Sequence, residues 1–139
     1  MKHTRVQNCK LIDIEQKGDR RGLISVVENN HQIPFEVKRI YYLYDIPSGA
    51  ERGGHAHKNL YQLVVAVSGS FDVVVNDGDS ERIINLNRPS RALYFPPGLW
   101  RELKNFSSGA ICLVLASEKY SEKDYIRDFN EFKTYKGDS

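Results

Sequence analysis

Two histidines one residue apart, His55 and His57, sit in the stretch GAERGGHAHKNLYQLVVAVSG, which runs from Gly49 to Gly69. Imidazole titrates near neutral pH, so such a pair can take and return protons or bind a metal. On a strand, residues i and i+2 share a face, which puts both rings on the same side. Cationic side chains gather nearby: Arg52 and Lys58 flank the pair, Arg39 lies in PFEVKRIYYLYD, and Arg101 lies in PPGLWRELKN. A guanidinium fork matches phosphate oxygens in bidentate geometry and can stabilise an oxyanion. Arg39 shares strand parity with Tyr41, while Ile40, Tyr42 and Tyr44 take the other parity; either face could look inward. Trp100, next to Arg101, is either a core residue or a platform for a base or sugar ring.

The elements that must position these groups read as strands. Short apolar or alternating runs are separated by turn residues every 8–12 positions, the pattern of an all-β sandwich or barrel. Strand candidates are CKLIDIEQ, GLISVVEN, FEVKRIYYLYDI, QLVVAVSG, SFDVVVNDG, SERIINLN, RALYFPPG, WRELKNF and AICLVLAS. The run LVVAV is apolar at both parities, which predicts a strand covered on both faces, by a second sheet or by another subunit. Only YSEKDYIRDFNEFKTY changes period. Tyr125, Ile126, Phe129 and Phe132 recur at helical spacing, and Ser121 with Asp124 resembles a capping box. The expectation is a short C-terminal helix whose aromatics pack on the outside of the barrel.

The 139 residues suit one domain spanning 1–139. A net charge of +2 gives no argument for a nucleic acid partner or a membrane surface. The N-terminal MKHTRVQNCK has no apolar h-region, and no apolar run approaches a membrane span. Cys9 and Cys112 lack CxxC spacing and read as reduced thiols of a cytoplasmic protein.

The spacing around the histidines resembles the first signature of the cupin superfamily: Gly49, His55, His57, Gln62, Gly69. The second signature is matched by Pro96, Gly98, Arg101 and Asn105. The resemblance implies a cupin-type jelly-roll β-barrel. In metal-binding cupins the position of Gln62 is a glutamate and that of Arg101 a histidine. Gln62 is a neutral, weak ligand, and a guanidinium has donors only and repels a cation. No metal and no cofactor are therefore expected, and Arg101 is expected to stabilise negative charge instead.

A narrower resemblance rests on PFEVKRIYYLYD, RGGHAHKNLYQ, PPGLWRELKNFS and LVLASEKYSEKDYIRDFNEF, and runs from about Lys10 to Phe132. Together these are similar to the sugar-nucleotide 3,4-ketoisomerases, metal-free cupins acting on dTDP-4-keto-6-deoxy-D-glucose. The resemblance implies a dTDP-3-keto-6-deoxyhexose product, on the way to 3-amino-3,6-dideoxy sugars of surface polysaccharides, and a homodimer. Moving the ketone from carbon 4 to carbon 3 needs a base, a hydroxyl-proton relay and positive charge by the enediolate. The reading gives His55 as the base and His57 with Tyr41 as the relay. Arg101 would lie by the sugar, Gln62 would orient a hydroxyl or a histidine, and Arg39, Arg52 and Lys58 would bind the pyrophosphate. Arg21 would sit at the pocket mouth. The alternatives are a cupin-type sugar-nucleotide epimerase and a non-catalytic nucleotide-sugar-binding cupin.

Overall fold

The structure is a computed structural model, and residues 2–137 are described. Of the expected domain, Met1, Asp138 and Ser139 lie outside the described residues. Among the described residues, twelve strands form two five-stranded antiparallel sheets and a hairpin. The first sheet runs β1 (Lys10–Asp13), β9 (Arg91–Phe95), β6 (Gln62–Ser68), β11 (Ile111–Ala116), β4 (Arg39–Leu43). The second runs β12 (Tyr125–Ile126), β5 (Arg52–His57), β10 (Trp100–Lys104), β7 (Phe71–Asn76), β8 (Glu81–Leu86). The hairpin pairs β2 (Lys17–Asp19) with β3 (Gly22–Ile24), and one α-helix, α1 (Phe129–Tyr135), follows the last strand. This is a cupin-type jelly roll with a short C-terminal helix.

Period-two alternation places the core. Val64, Ala66, Val73, Val75, Leu93, Leu103 and Val114 meet between the two sheets, with Phe71 and Phe95 among the fully buried side chains. The opposite parity of β6, Leu63 and Val65, is buried as well, under Ile14, Ile33 and Phe35. The double apolar parity of LVVAV is thus satisfied within this chain, by the segment running up to β4. A third cluster holds Ala56, Trp100, Ile126 and Phe132 on the outer side of the second sheet.

Two expectations change. GLISVVEN forms a strand only over Gly22–Ile24. The C-terminal stretch is helical only from Phe129, because Asp128 is the residue that caps it, accepting from the Glu131 N–H at 3.0 Å. Before that cap, a single 3-10 turn (Glu122–Asp124) leads into β12, which adds an edge to the second sheet beside β5. Tyr125 therefore stands opposite His57 and belongs to a strand.

Candidate active site

At one end of the barrel the two sheets part, and polar side chains replace the apolar ones on their inner faces. In β4 the inward parity is Arg39, Tyr41 and Leu43, while Ile40 and Tyr42 are exposed. Gln62 starts β6 and is fully buried. From the facing sheet, His55 and Arg101 are direct cross-strand partners, so both point inward, and Ala56 and Trp100 form the next pair, pointing outward. The register of β5 on β10 shifts between Arg101 and Leu103, where β5 holds one extra residue at Gly53 and Gly54. Gly53 takes φ +74°, a conformation glycine tolerates best, as a β-bulge there requires.

Arg39, Tyr41, Leu43, His55 and Arg101 line a cavity of about 270 Å³. The Arg101 Nη2 group donates to the Tyr41 hydroxyl at 2.9 Å, and that hydroxyl donates to Gln62 Oε1 at 3.2 Å. A second, long contact of 3.5 Å joins Arg101 Nη2 to His55 Nε2. A guanidinium only donates, so Nε2 carries the lone pair. Arg101 is 2% exposed, makes no ion pair among the described residues, and leaves Nε and Nη1 buried without partners. An unpaired guanidinium at such burial is held several kcal/mol out of its preferred surroundings, so the site is complementary to an anion. Burial first, then Arg101, pushes His55 down to about 2, which keeps it a neutral base.

A larger cavity, of about 720 Å³, adjoins the first, and Arg39 and Tyr125 line both. Arg39 lies over the Tyr41 and Tyr120 rings at 5.3 and 5.6 Å. His57 opens on this side. Its ring meets His55 edge-on at 4.9 Å between centroids, and Tyr125 covers both imidazoles, at 5.0 Å from His55 and 4.3 Å from His57. His57 Nδ1 contacts Asp124 Oδ2 at 2.9 Å, and its Nε2 is buried without a partner. Burial, then Arg101, holds His57 low, at about 3, against the opposing pull of the Glu122 carboxylate.

Comparison with known proteins identifies the family. Residues 7–137 match the family described as FdtA: WxcM-like, C-terminal. A TDP-4-oxo-6-deoxy-alpha-D-glucose-3,4-oxoisomerase of Aneurinibacillus thermoaerophilus is 42% identical over 126 residues, 91% of each chain. The chain belongs to this 3,4-ketoisomerase family. Among solved structures, a 3,4-ketoisomerase from Helicobacter canadensis is 45% identical at a TM-score of 0.91, covering 94% of this chain and 98% of that one. A His-to-Asn mutant of the Thermoanaerobacterium thermosaccharolyticum 3,4-ketoisomerase, in complex with TDP-4-keto-6-deoxyglucose, is 36% identical at a TM-score of 0.93, covering 96% and 97%.

Within this ketoisomerase fold, the residues singled out in sequence do not all converge. His55, Tyr41, Arg39, Arg101 and Arg52 line the smaller cavity, Gln62 bonds into it through Tyr41, and His57 lines the larger one. Lys58 is exposed and lines neither cavity. Arg21 is exposed in the β2–β3 hairpin and bonds Asp19 at 2.7 Å, away from both cavities. Trp100 is no ring platform of either cavity. Strand parity turns it outward, where it packs on Phe129 and Phe132 and donates to Glu102 Oε2 at 3.0 Å. Conversely, Asp124 and Tyr125, read from sequence as parts of a helix, and Arg127, not singled out there, stand at the cavities. The signal was a short period two in DYIR, with Ile126 buried on the outer side and Tyr125 and Arg127 on the cavity side.

The donor set does not fit the metal of other cupins. Of the four matching positions, Gln62 is neutral and Arg101 places a cationic nitrogen 3.5 Å from His55 Nε2. Among the described residues no three His, Cys, Asp or Glu side chains gather as a metal site.

Proposed function

We propose that this chain converts dTDP-4-keto-6-deoxy-D-glucose to a dTDP-3-keto-6-deoxyhexose by acid–base catalysis through an enediolate. The observation that carries the reading is the buried, unpaired Arg101 guanidinium beside the neutral His55 Nε2. A base next to a fixed positive charge is what enolisation beside a ketone requires. His55 takes the proton from carbon 3 while the electrons move onto the carbon 4 oxygen, where Arg101 stabilises the charge. The Tyr41 hydroxyl, which accepts from Arg101 and donates to Gln62, carries the hydroxyl proton between the two oxygens. A proton delivered to carbon 4, with His57 as the second imidazole of the relay, completes a redox-neutral isomerisation. Arg39, at the junction of the cavities, and Arg52, at the rim, supply cations for the pyrophosphate.

The working unit in this reading is a homodimer. Ile40 and Tyr42 on the outer side of edge strand β4, and Tyr44 just past its end, are each more than half exposed, and Leu23 and Ile24 are similarly exposed. Such a surface suits a second copy. Tyr42→Lys should shift the sedimenting species toward monomer. Cys9 and Cys112 are free and buried, pushed by burial up to about 12 and about 11, which suits a reducing cytoplasm.

The deciding experiment is proton NMR of the protein with dTDP-4-keto-6-deoxy-D-glucose in deuterated water containing EDTA. Loss of the carbon 3 proton signal and growth of a 3-keto sugar is expected. A product that keeps its 4-keto group would identify an epimerase, and binding without exchange would identify a binding protein.

A further inference from the structure

His57 is 3% exposed, yet one ring nitrogen is held by a carboxylate from another element while the other is buried with no partner. The carboxylate, Asp124, ends the 3-10 turn ahead of β12 and is tied to the end of β5 at three points. Its Oδ2 lies 2.9 Å from His57 Nδ1. Its Oδ1 accepts the Asn59 N–H at 2.7 Å, and its backbone carbonyl accepts the Lys58 N–H at 3.0 Å. Both carboxylate oxygens thus face nitrogen. A backbone N–H only donates, so Oδ1 must accept, and a carboxylate Oδ2 then requires the hydrogen to sit on His57 Nδ1.

We propose that Asp124 is a positioning residue that locks His57 in the Nδ1–H tautomer, leaving the Nε2 lone pair as the proton acceptor of the relay. This rests on the ketoisomerase reading for its catalytic consequence, and on contacts in this structure alone for the tautomer. Second-sphere partners of this kind fix which imidazole nitrogen works and how the ring is aimed. The rest of the anchoring makes the lock stiff. Tyr125 follows Asp124 directly, pairs with His57 across the strands, and lies over its ring at 4.3 Å. Two consecutive residues, Asp124 and Tyr125, thus hold the ring, one at its Nδ1 edge and the other packed against it at a tilt of 59°.

Asp124→Asn gives a directed test. The Asn59 N–H keeps the amide oxygen on its side, which turns the amide NH₂ toward His57 Nδ1 and forces the hydrogen to Nε2. Long-range proton–nitrogen NMR on nitrogen-15-histidine protein should show Nδ1–H for His57 in the wild type and Nε2–H in the variant. Turnover should fall at least about 10-fold with KM within about two-fold, the split expected when a proton-transfer group is mispresented and binding is intact. A wild-type His57 found as the Nε2–H tautomer overturns the proposal and needs no variant to fold. So does an Asp124→Asn protein with the wild-type turnover. Wild-type protein with no isomerase activity but the Nδ1–H tautomer would overturn the ketoisomerase reading and leave the lock standing.

Discussion

At the scale of single residues, the site's chemistry is set by what burial and one guanidinium do to two imidazoles. An ordinary histidine is half protonated near pH 6.5. His55 is pushed down to about 2 and His57 to about 3, by burial and then by Arg101 in both cases. A base with a depressed value stays neutral as pH falls, so kcat/KM should lack the usual acid limb near pH 6.5 and stay level down to about pH 5. A profile that falls tenfold per unit below pH 6.5 would show that one of the two titrates normally. His55→Asn should abolish exchange at carbon 3 in deuterated water. Arg101→Gln keeps a donor but removes the charge that the proposed mechanism sets against the enediolate. Turnover should drop on the order of 10²–10³-fold, the scale set by removing one oxyanion-stabilising interaction. The same substitution should raise the His55 value and bring an acid limb into the profile; an unchanged profile with unchanged turnover would remove Arg101 from the chemistry.

At the scale of elements, positioning rests on a bulge and on an added strand. Gly53 takes φ +74°, and a Cβ there would meet Leu103 and Arg101 atoms only at 3.6–3.8 Å, so the obstacle to a side chain is backbone conformation and not crowding. Gly53→Ala should therefore destabilise by about 1–2 kcal/mol, read from chemical denaturation, and a loss under about 0.3 kcal/mol would show that the strand relaxes freely. The bulge also explains how much of the site was legible beforehand. The inward faces of His55 and Arg101 were legible through the cupin-like spacing and the two-residue alternation that survives within each strand, whereas alternation alone left Tyr41 and Tyr42 open, and it is the placement of β4 that turns Tyr41 inward. Trp100 and Arg101 are neighbours, and alternation alone separates their faces once the inward one is known. Lys58 was drawn to the pocket only by the gathering of cations around RGGHAH; it lies just past β5, which ends at His57, and alternation would have given it the outward parity of Ala56. Tyr125 and Asp124 were hidden because DYIRDFNEF carries a helical spacing of aromatics that overwhelms a two-residue strand. Only Phe129 and Phe132 use that spacing, both against Trp100. What was not written locally was the pairing of β12 with β5, a contact between segments about 70 residues apart.

At the scale of the whole molecule, the buried imidazoles tie catalytic design to acid stability. Between the folded values near 2 and 3 and the unfolded value of 6.5, the unfolded chain binds protons that the folded chain refuses. Stability must then rise with pH across that interval, be fully present above about 6.5, and drain away as pH falls. Each histidine contributes a slope of up to about 1.4 kcal/mol per pH unit where it is protonated only when unfolded. Carboxylates with depressed values act in the same direction but lower. Asp72, held down by hydrogen bonds from Asn105 and then Asn85, draws on the region below about pH 4. The window from about pH 4.5 to 6.5 is therefore the histidines' own. Urea unfolding of the wild type at a fixed protein concentration should show stability climbing steeply across it. The double variant His55→Asn, His57→Asn should be nearly flat there, and more stable than the wild type at pH 4.5 relative to their difference at pH 7.5. Parallel curves for the two proteins would mean that the imidazoles are protonated in the folded barrel. In that case the neutral base at carbon 3, and the chemistry built on it, would have to be assigned to another group.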